Sequence, residues 1–283
     1  MEKTNRRDFF KWACAGIAAT SFSYNVNSQT KEEGAAKKPG KHLFEIGMAS
    51  YTFRKFKLDD CLAMTKRLGL KKIAFKDMHL PLTSTDAEIK AVVQKVKDAG
   101  LDLYGCGVVY MRNPDEVKKA FDYAKAAGMK VIIGVPEHNL LDLANQKVKE
   151  YDIKLSIHNH GPTDKVYPTP QSVYEKIKDL DRRIGLCIDI GHTQRSGVDP
   201  SEAAKKYADR LYDVHIKDVN ASTKEGNTLE MGRGVIDIPK FMKTLIQIKF
   251  SGVAALEYEK DQDDPLAGAA ESIGYSKGVL AML

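Results

Sequence analysis

The sequence is short of cysteine pairs, long apolar runs, a glycine loop after its first strand and any concentrated basic stripe. Each shortage removes a class of protein. The four cysteines, Cys14, Cys61, Cys106 and Cys187, are scattered and form no CxxC pair. They read as small buried apolar residues rather than a disulfide framework. The apolar stretch over 12–22 holds roughly 11 residues against the ~20 that span a bilayer. Ser50-Tyr51-Thr52-Phe53-Arg54 follows the first strand-like run where a dinucleotide fold would place its glycine loop, which argues against an open doubly wound sheet. The net charge of +6 is spread out and not interleaved with aromatics, so it leaves no nucleic-acid footprint.

The leading residues read as a targeting segment. Asn5-Arg6-Arg7-Asp8-Phe9-Phe10-Lys11 resembles the twin-arginine export signal, with the 12–22 apolar stretch behind it. Without residues 1–30 the net charge falls to about +4. Lys11-Trp12-Ala13 before Cys14 lacks the small and aliphatic residues of a lipoprotein site, which disfavours lipidation. The expected organisation is a signal segment at 1–30, a polar, Lys-, Gly- and Ala-rich disordered linker at 31–42, and one catalytic domain at 43–283. The expected location is periplasmic.

With 283 residues, 43% of them hydrophobic and 29% charged, the chain can bury a sizeable core. From residue 44 short apolar runs alternate with amphipathic helical stretches. The spacing predicts strands over 44–51, 72–76, 101–109, 130–136, 154–159, 185–190, 211–217 and 252–258. Between them, Thr85-Asp86-Ala87-Glu88 is a capping box closed by Gly100, and Asn113-Pro114-Asp115-Glu116 opens a helix that Gly128 ends. Eight βα units in about 240 residues match a single-domain (β/α)8 TIM barrel, for which about 250 residues is typical.

Four strand-like runs end in groups that apolar packing gives no reason to place there: Ile157-His158-Asn159-His160, Ile188-Asp189-Ile190-Gly191-His192, Val214-His215-Ile216-Lys217-Asp218 and Leu256-Glu257-Tyr258-Glu259. Period-two alternation gives them a common sense. If Leu155, Ile157, Leu186, Ile188, Ile190, Val214, Ile216, Leu256 and Tyr258 face the helices, then His158, His160, Asp189, His215, Lys217 and Glu257 face inward. In a barrel all eight carboxyl ends meet at one mouth. His158, Asp189, His215 and Glu257 would then offer two imidazoles and two carboxylates to a divalent metal: Mn, Zn, Co, Fe or Mg.

Around that set, His160 suits an acid/base one layer further out, and Lys217 can polarise an oxyanion or simply pair with Asp218. Glu137 has inward parity with Ile133 and Val135 and is a candidate second ligand or base, with a helix-start acid as the bland alternative. His192, three after Asp189, is open between an extra ligand, a substrate contact and a loop cap. Lys76 and His79 are candidate substrate contacts, and the glycine-bearing stretch 218–236 is expected as a mobile wall.

The order Ile-His-Asn-His-Gly, Ile-Asp-Ile-Gly-His, His-Ile-Lys-Asp and Leu-Glu-Tyr-Glu resembles the sugar phosphate isomerase/epimerase superfamily of xylose-isomerase-like barrels. The resemblance runs over 44–258, and Met231-Gly232-Arg233-Gly234-Val235-Ile236-Asp237 looks like that family's glycine-rich segment before the last strand. It implies a metal held at the positions of His158, Asp189, His215 and Glu257, and activities that include ketose 3-epimerases, inosose dehydratases and, more distantly, apurinic endonucleases. His192 matches the endonuclease branch's Asp-x-x-His. His158 stands where the epimerases carry one of two glutamates that work as an acid/base pair, so Glu137 or His160 would take the second role.

The resulting expectation is an exported, metal-dependent isomerase, epimerase or lyase that removes a proton beside the carbonyl of a sugar or cyclic polyol. Its partner is a small-molecule sugar, with no nucleic acid, no membrane once the signal is gone, and homo-oligomerisation left open. The alternatives are a non-catalytic periplasmic sugar-binding protein and, disfavoured by export, an apurinic endonuclease-like phosphodiesterase.

Overall fold

The computed structural model describes residues 42–283; the signal expected at 1–30, nearly all of the 31–42 linker, and Cys14 lie outside the described residues. Eight parallel strands close into a barrel: β1 (Glu45–Ala49), β2 (Lys72–Phe75), β3 (Asp102–Met111), β4 (Val131–Pro136), β5 (Lys154–His158), β6 (Ile184–Asp189), β7 (Leu211–Ile216) and β8 (Val253–Leu256). Each pairs with the next, and β8 returns beside β1 with Glu45 opposite Val253. The helices are α1 (Leu58–Arg67), α2 (Asp86–Asp98), α3 (Pro114–Ala126), α4 (Leu141–Tyr151), α5 (Pro170–Ile177), α6 (Ile190–Arg195), α7 (Pro200–Lys206), α8 (Ile238–Gln247) and α9 (Leu266–Met282). This is the expected (β/α)8 barrel.

The local signals act as read. The Thr85 hydroxyl accepts from the Glu88 amide while Glu88 reaches back, which makes the full capping box of α2. Asn113 caps α3 with Pro114 behind it, and Gly100 and Gly128 close these two helices at positive φ. Among the described residues Cys61, Cys106 and Cys187 are free and buried. No described helix is long and apolar enough to cross a membrane.

Strand alternation decides what lies inside. Leu155, Ile157, Leu186, Ile188, Val214 and Ile216 are fully buried, and each contributes about 1.5–3 kcal/mol by leaving water. A slip of one residue would exchange them with Ser156, His158, Cys187, Asp189, Asp213 and His215, so the register is strongly fixed. That register puts Asp189 directly opposite His215, His158 opposite Cys187, and Ala255 opposite His215.

Candidate active site and its metal-ligand cluster

The pairing just described gathers the expected donors. His158, Asp189, His215 and Glu257 each offer one ligand atom, and these atoms lie within 4.8 Å of one another. His158 Nε2 is 3.1 Å from His215 Nδ1 and 3.4 Å from Asp189 Oδ2, while His215 Nδ1 is 3.4 Å from Glu257 Oε2. Asp189 shows why this strand end is built as it is. Its Oδ1 accepts the His192 amide at 2.7 Å and so caps α6, which leaves Oδ2 for the cluster. That Oδ2 is buried, faced by the Lys217 ammonium at 3.1 Å and the His158 ring at 3.4 Å. A divalent cation satisfies such an oxygen, and the mixed N/O set fits one.

Lys217 is the fifth member. Its Nζ donates to Glu257 Oε2 at 2.7 Å and to Glu259, and lies 3.1 Å from Asp189 Oδ2. Asp218, its alternative partner from sequence, is spent elsewhere. Burial pushes the Lys217 ammonium down, but Asp189, Glu257 and Glu259 together hold it charged, well above the usual lysine range. Burial pushes Asp189 and Glu257 up, and Lys217 with the neighbouring imidazoles outweighs it, so both stay ionised. Burial holds His158 down to about 4, whereas His215 is raised because Glu257 overcomes its burial.

Three polar anchors hold the mouth. Asn159 accepts the Asp189 amide at 3.1 Å and donates to Thr193, tying the end of β5 to the start of α6. Asp218 accepts four backbone amides, those of Val219, Gly232, Gly234 and Ile236, at 2.9–3.2 Å. The 218–236 stretch, expected as a mobile wall, is therefore pinned from beneath. Glycine is required at 234 because a Cβ there would stand 2.2 Å from Asp218 Oδ1. Glu230 adds a lock, accepting from Tyr258 at 2.7 Å and Lys260 at 2.8 Å.

The remaining candidates divide. His160 packs on His158 with ring centroids 4.4 Å apart, its Nε2 3.2 Å from the Tyr110 hydroxyl and its Nδ1 3.6 Å from Asp164. Burial, then His158, lower it to about 3. His192 stands 5.8 Å from the His160 ring and 6.0 Å from the His158 ring. Lys76 reaches the mouth beside Tyr110 and donates to the Val108 carbonyl.

Two residues are placed otherwise than expected. His79 is buried, with Nε2 donating to the Phe56 carbonyl at 3.2 Å and Nδ1 accepting from Ser50 at 2.9 Å. Both nitrogens are spent inside the fold, so His79 has none left for a substrate. Glu137 follows the last residue of β4 and opens a 3-10 turn, His138–Leu140. Strand parity ends at Pro136, and the Glu137 carboxylate is outside the donor cluster.

Two cavities flank the mouth. One of 280 Å³ lies beside Lys76, Tyr110 and Arg112. The other, 390 Å³, is lined by His192, Arg195, Lys217 and Glu259 among others. A larger cavity of 580 Å³ opens at the amino ends of the strands and reaches Tyr104 and Asp213.

Residues 62–279 match the model of a family described as the xylose isomerase-like TIM barrel. The chain belongs to that family. Relatives include the rhizopine catabolism protein MocC of Rhizobium meliloti, 30% identical over 147 residues, 46% of this chain and 44% of the relative. An inosose dehydratase of Clostridium perfringens is 30% identical over 148 residues, 46% of this chain and 49% of the relative. The match thus spans about half the length of these curated relatives. Among solved structures, the IolI protein with a bound zinc atom shares the fold at a TM-score of 0.69 and 18% identity, covering 83% of this chain and 96% of that one.

Within this member of the xylose isomerase-like family, sequence reading missed Tyr110, Asp164, Arg195 and Glu259. Glu259 shares the parity of Glu257 and was open to the same argument. Tyr110 was not, because the β3–β4 register shifts between Cys106 and Val109 and breaks the count. Asp164 and Arg195 sit off the strands, where period two carries no information.

Proposed function

We propose that this protein is a divalent-metal-dependent enzyme that removes a proton from the carbon beside the carbonyl of a sugar or cyclic polyol, with epimerisation, isomerisation or β-elimination as the outcome. The observation that carries this reading is Glu257, a buried carboxylate at the donor cluster whose Oε2 also accepts from Lys217 at 2.7 Å. His158, Asp189, His215 and Glu257 would hold the ion. When bound, such an ion polarises the carbonyl and an adjacent hydroxyl. The names of the inosose dehydratase and of the zinc-bearing IolI structure support a polyol-type substrate and zinc as one candidate ion.

The chain's own residues divide the remaining work. Glu257 takes the proton, while the Lys217 ammonium, held by Asp189, Glu257 and Glu259, keeps these carboxylates in place and adds positive charge beside the oxygen that gains negative charge. His160, bonded to the Tyr110 hydroxyl, delivers or receives a proton on the other side. Since a carboxylate is missing at His158, the reaction is asymmetric, and His160, in ring contact with His158, is a better second group than Glu137, which is outside the donor cluster. Lys76 and His192 contact the sugar.

The test is purification without chelator, elemental analysis, and solvent-deuterium exchange into a panel of keto-sugars. Stoichiometric metal and exchange at the carbon beside the carbonyl are expected. Metal-free protein that still binds sugar would favour a binding protein instead. We also propose that Asn5-Arg6-Arg7 directs export of the folded enzyme to the periplasm. Arg6→Lys with Arg7→Lys should leave precursor in the cytoplasm, and normal export of that variant would refute it.

A further inference from the structure

The 390 Å³ cavity between α6 and the 218–236 stretch is rich in cations, and most are already neutralised. Lys217 is held by Asp189, Glu257 and Glu259, and Lys260 by Glu230 at 2.8 Å. Arg195 is different. Among the described residues no carboxylate lies within ion-pair distance of it, although it lines the same cavity. It stands three residues after His192, so the two share a face of α6 over the mouth.

The guanidinium is held in place without being used up. One Nη2 hydrogen goes to the Lys224 carbonyl at 2.6 Å, and Nη1 donates to His192 Nδ1 at 3.3 Å. Accepting that bond leaves His192 with its proton on Nε2. The Arg195 Nε is buried and has no partner among the described residues. Nε is out of a ligand's reach, but Nη1 and Nη2 each keep one hydrogen beyond these bonds, and the planar end of the guanidinium can present the two together. That fork matches a carboxylate bidentately.

We infer that this cavity binds a carboxylate of the substrate through Arg195, so that the enzyme acts on an acidic keto-sugar of the uronate or aldonate type. The carboxylate sits on the α6 side while the carbonyl faces the donor cluster. Lys260 and Asn227 offer further polar contacts to the same group. The inference rests on the sugar-enzyme reading above.

The test uses metal-loaded full chain in calorimetric titrations with two matched pairs, D-fructuronate against D-fructose and D-tagaturonate against D-tagatose, and with fructose 6-phosphate. At least one keto-acid should bind about tenfold or more tighter than its neutral partner, as a charge-assisted pair allows. Arg195→Gln should bring that ratio close to one, Arg195→Lys should keep part of it, and added salt should erode it. If Arg195 acted only by holding His192, Arg195→Gln would weaken both members equally and leave the ratio intact. An intact ratio, no preference in the wild type, or binding of none of the sugars overturns the inference, and tighter binding of the phosphate ester overturns the carboxylate assignment. Deuterium exchange and metal content separate it from the broader reading. Metal-dependent exchange into neutral ketoses without acid preference removes only this subsite, whereas acid preference without metal or exchange keeps the subsite and removes the proposed chemistry.

Discussion

His158 Nε2 and His215 Nδ1 face each other at 3.1 Å, both buried, and only one can carry the proton between them. Burial holds His158 neutral, while Glu257 outweighs the burial of His215 and raises it above 6.5, so the proton rests on His215. It must leave before that nitrogen can take a metal. Metal retention should therefore be full at alkaline pH and fall as pH drops through the raised His215 value. Metal content after dialysis over roughly pH 9 to 5 reads this out, and an occupancy that does not change over that range would contradict it.

Asp189→Ala and His215→Ala should each release bound metal while the barrel stays folded, because groups at the catalytic face add little to core stability. Elemental analysis and circular dichroism on the dialysed variants check both halves. Full occupancy in either variant removes that residue from the ligand set.

Most of this cluster was legible because period two and barrel convergence act together. Once Leu186 and Ile188 are assigned to the helices, Asp189 has nowhere to go but the mouth, and the same holds for His215 and Glu257. The reasoning stops where the strand stops. Glu137 follows Pro136 into a 3-10 turn, and His79 lies on a loop whose fold spends both its nitrogens. The role of Asp218 was hidden for another reason: its partners are backbone amides 14, 16 and 18 residues later, which no side-chain pattern reports.

Asp213 lies inside the barrel, with Cys187 Sγ at 3.5 Å and one oxygen without a partner among the described residues. Burial pushes its carboxyl up to about 7, against an ordinary 3.8. The folded state thus binds this proton more tightly than the unfolded chain. The stabilisation is complete below about pH 4 and is lost as pH rises through about 7, at most roughly 4 kcal/mol in all. In metal-free protein Asp213→Asn should gain on the wild type between about pH 5 and 8, measured as the difference in Tm. An equal difference at both ends would show that Asp213 does not titrate there.

Asp218→Ala should free the amides of Gly232, Gly234 and Ile236 together and cost roughly 2–4 kcal/mol, as expected for losing several bonds to one buried charge. Hydrogen exchange locates the effect, with protection lost over 230–236 and retained in β6 and β7. Unchanged protection at Gly232 and Gly234 would mean that the stretch is held by something other than Asp218.

The most direct test of the proposed chemistry is solvent-deuterium exchange at the carbon beside the carbonyl, compared between wild type and Glu257→Gln on the same keto-sugar panel. The amide keeps an oxygen that can still ligate, but it cannot usefully accept a proton near neutral pH. Exchange should fall by ~10²–10⁴-fold, as for a removed general base, with part of the metal and the sugar affinity kept. Exchange that continues near the wild-type rate in a metal-bearing Glu257→Gln enzyme would contradict the central role of Glu257 and pass it to His160.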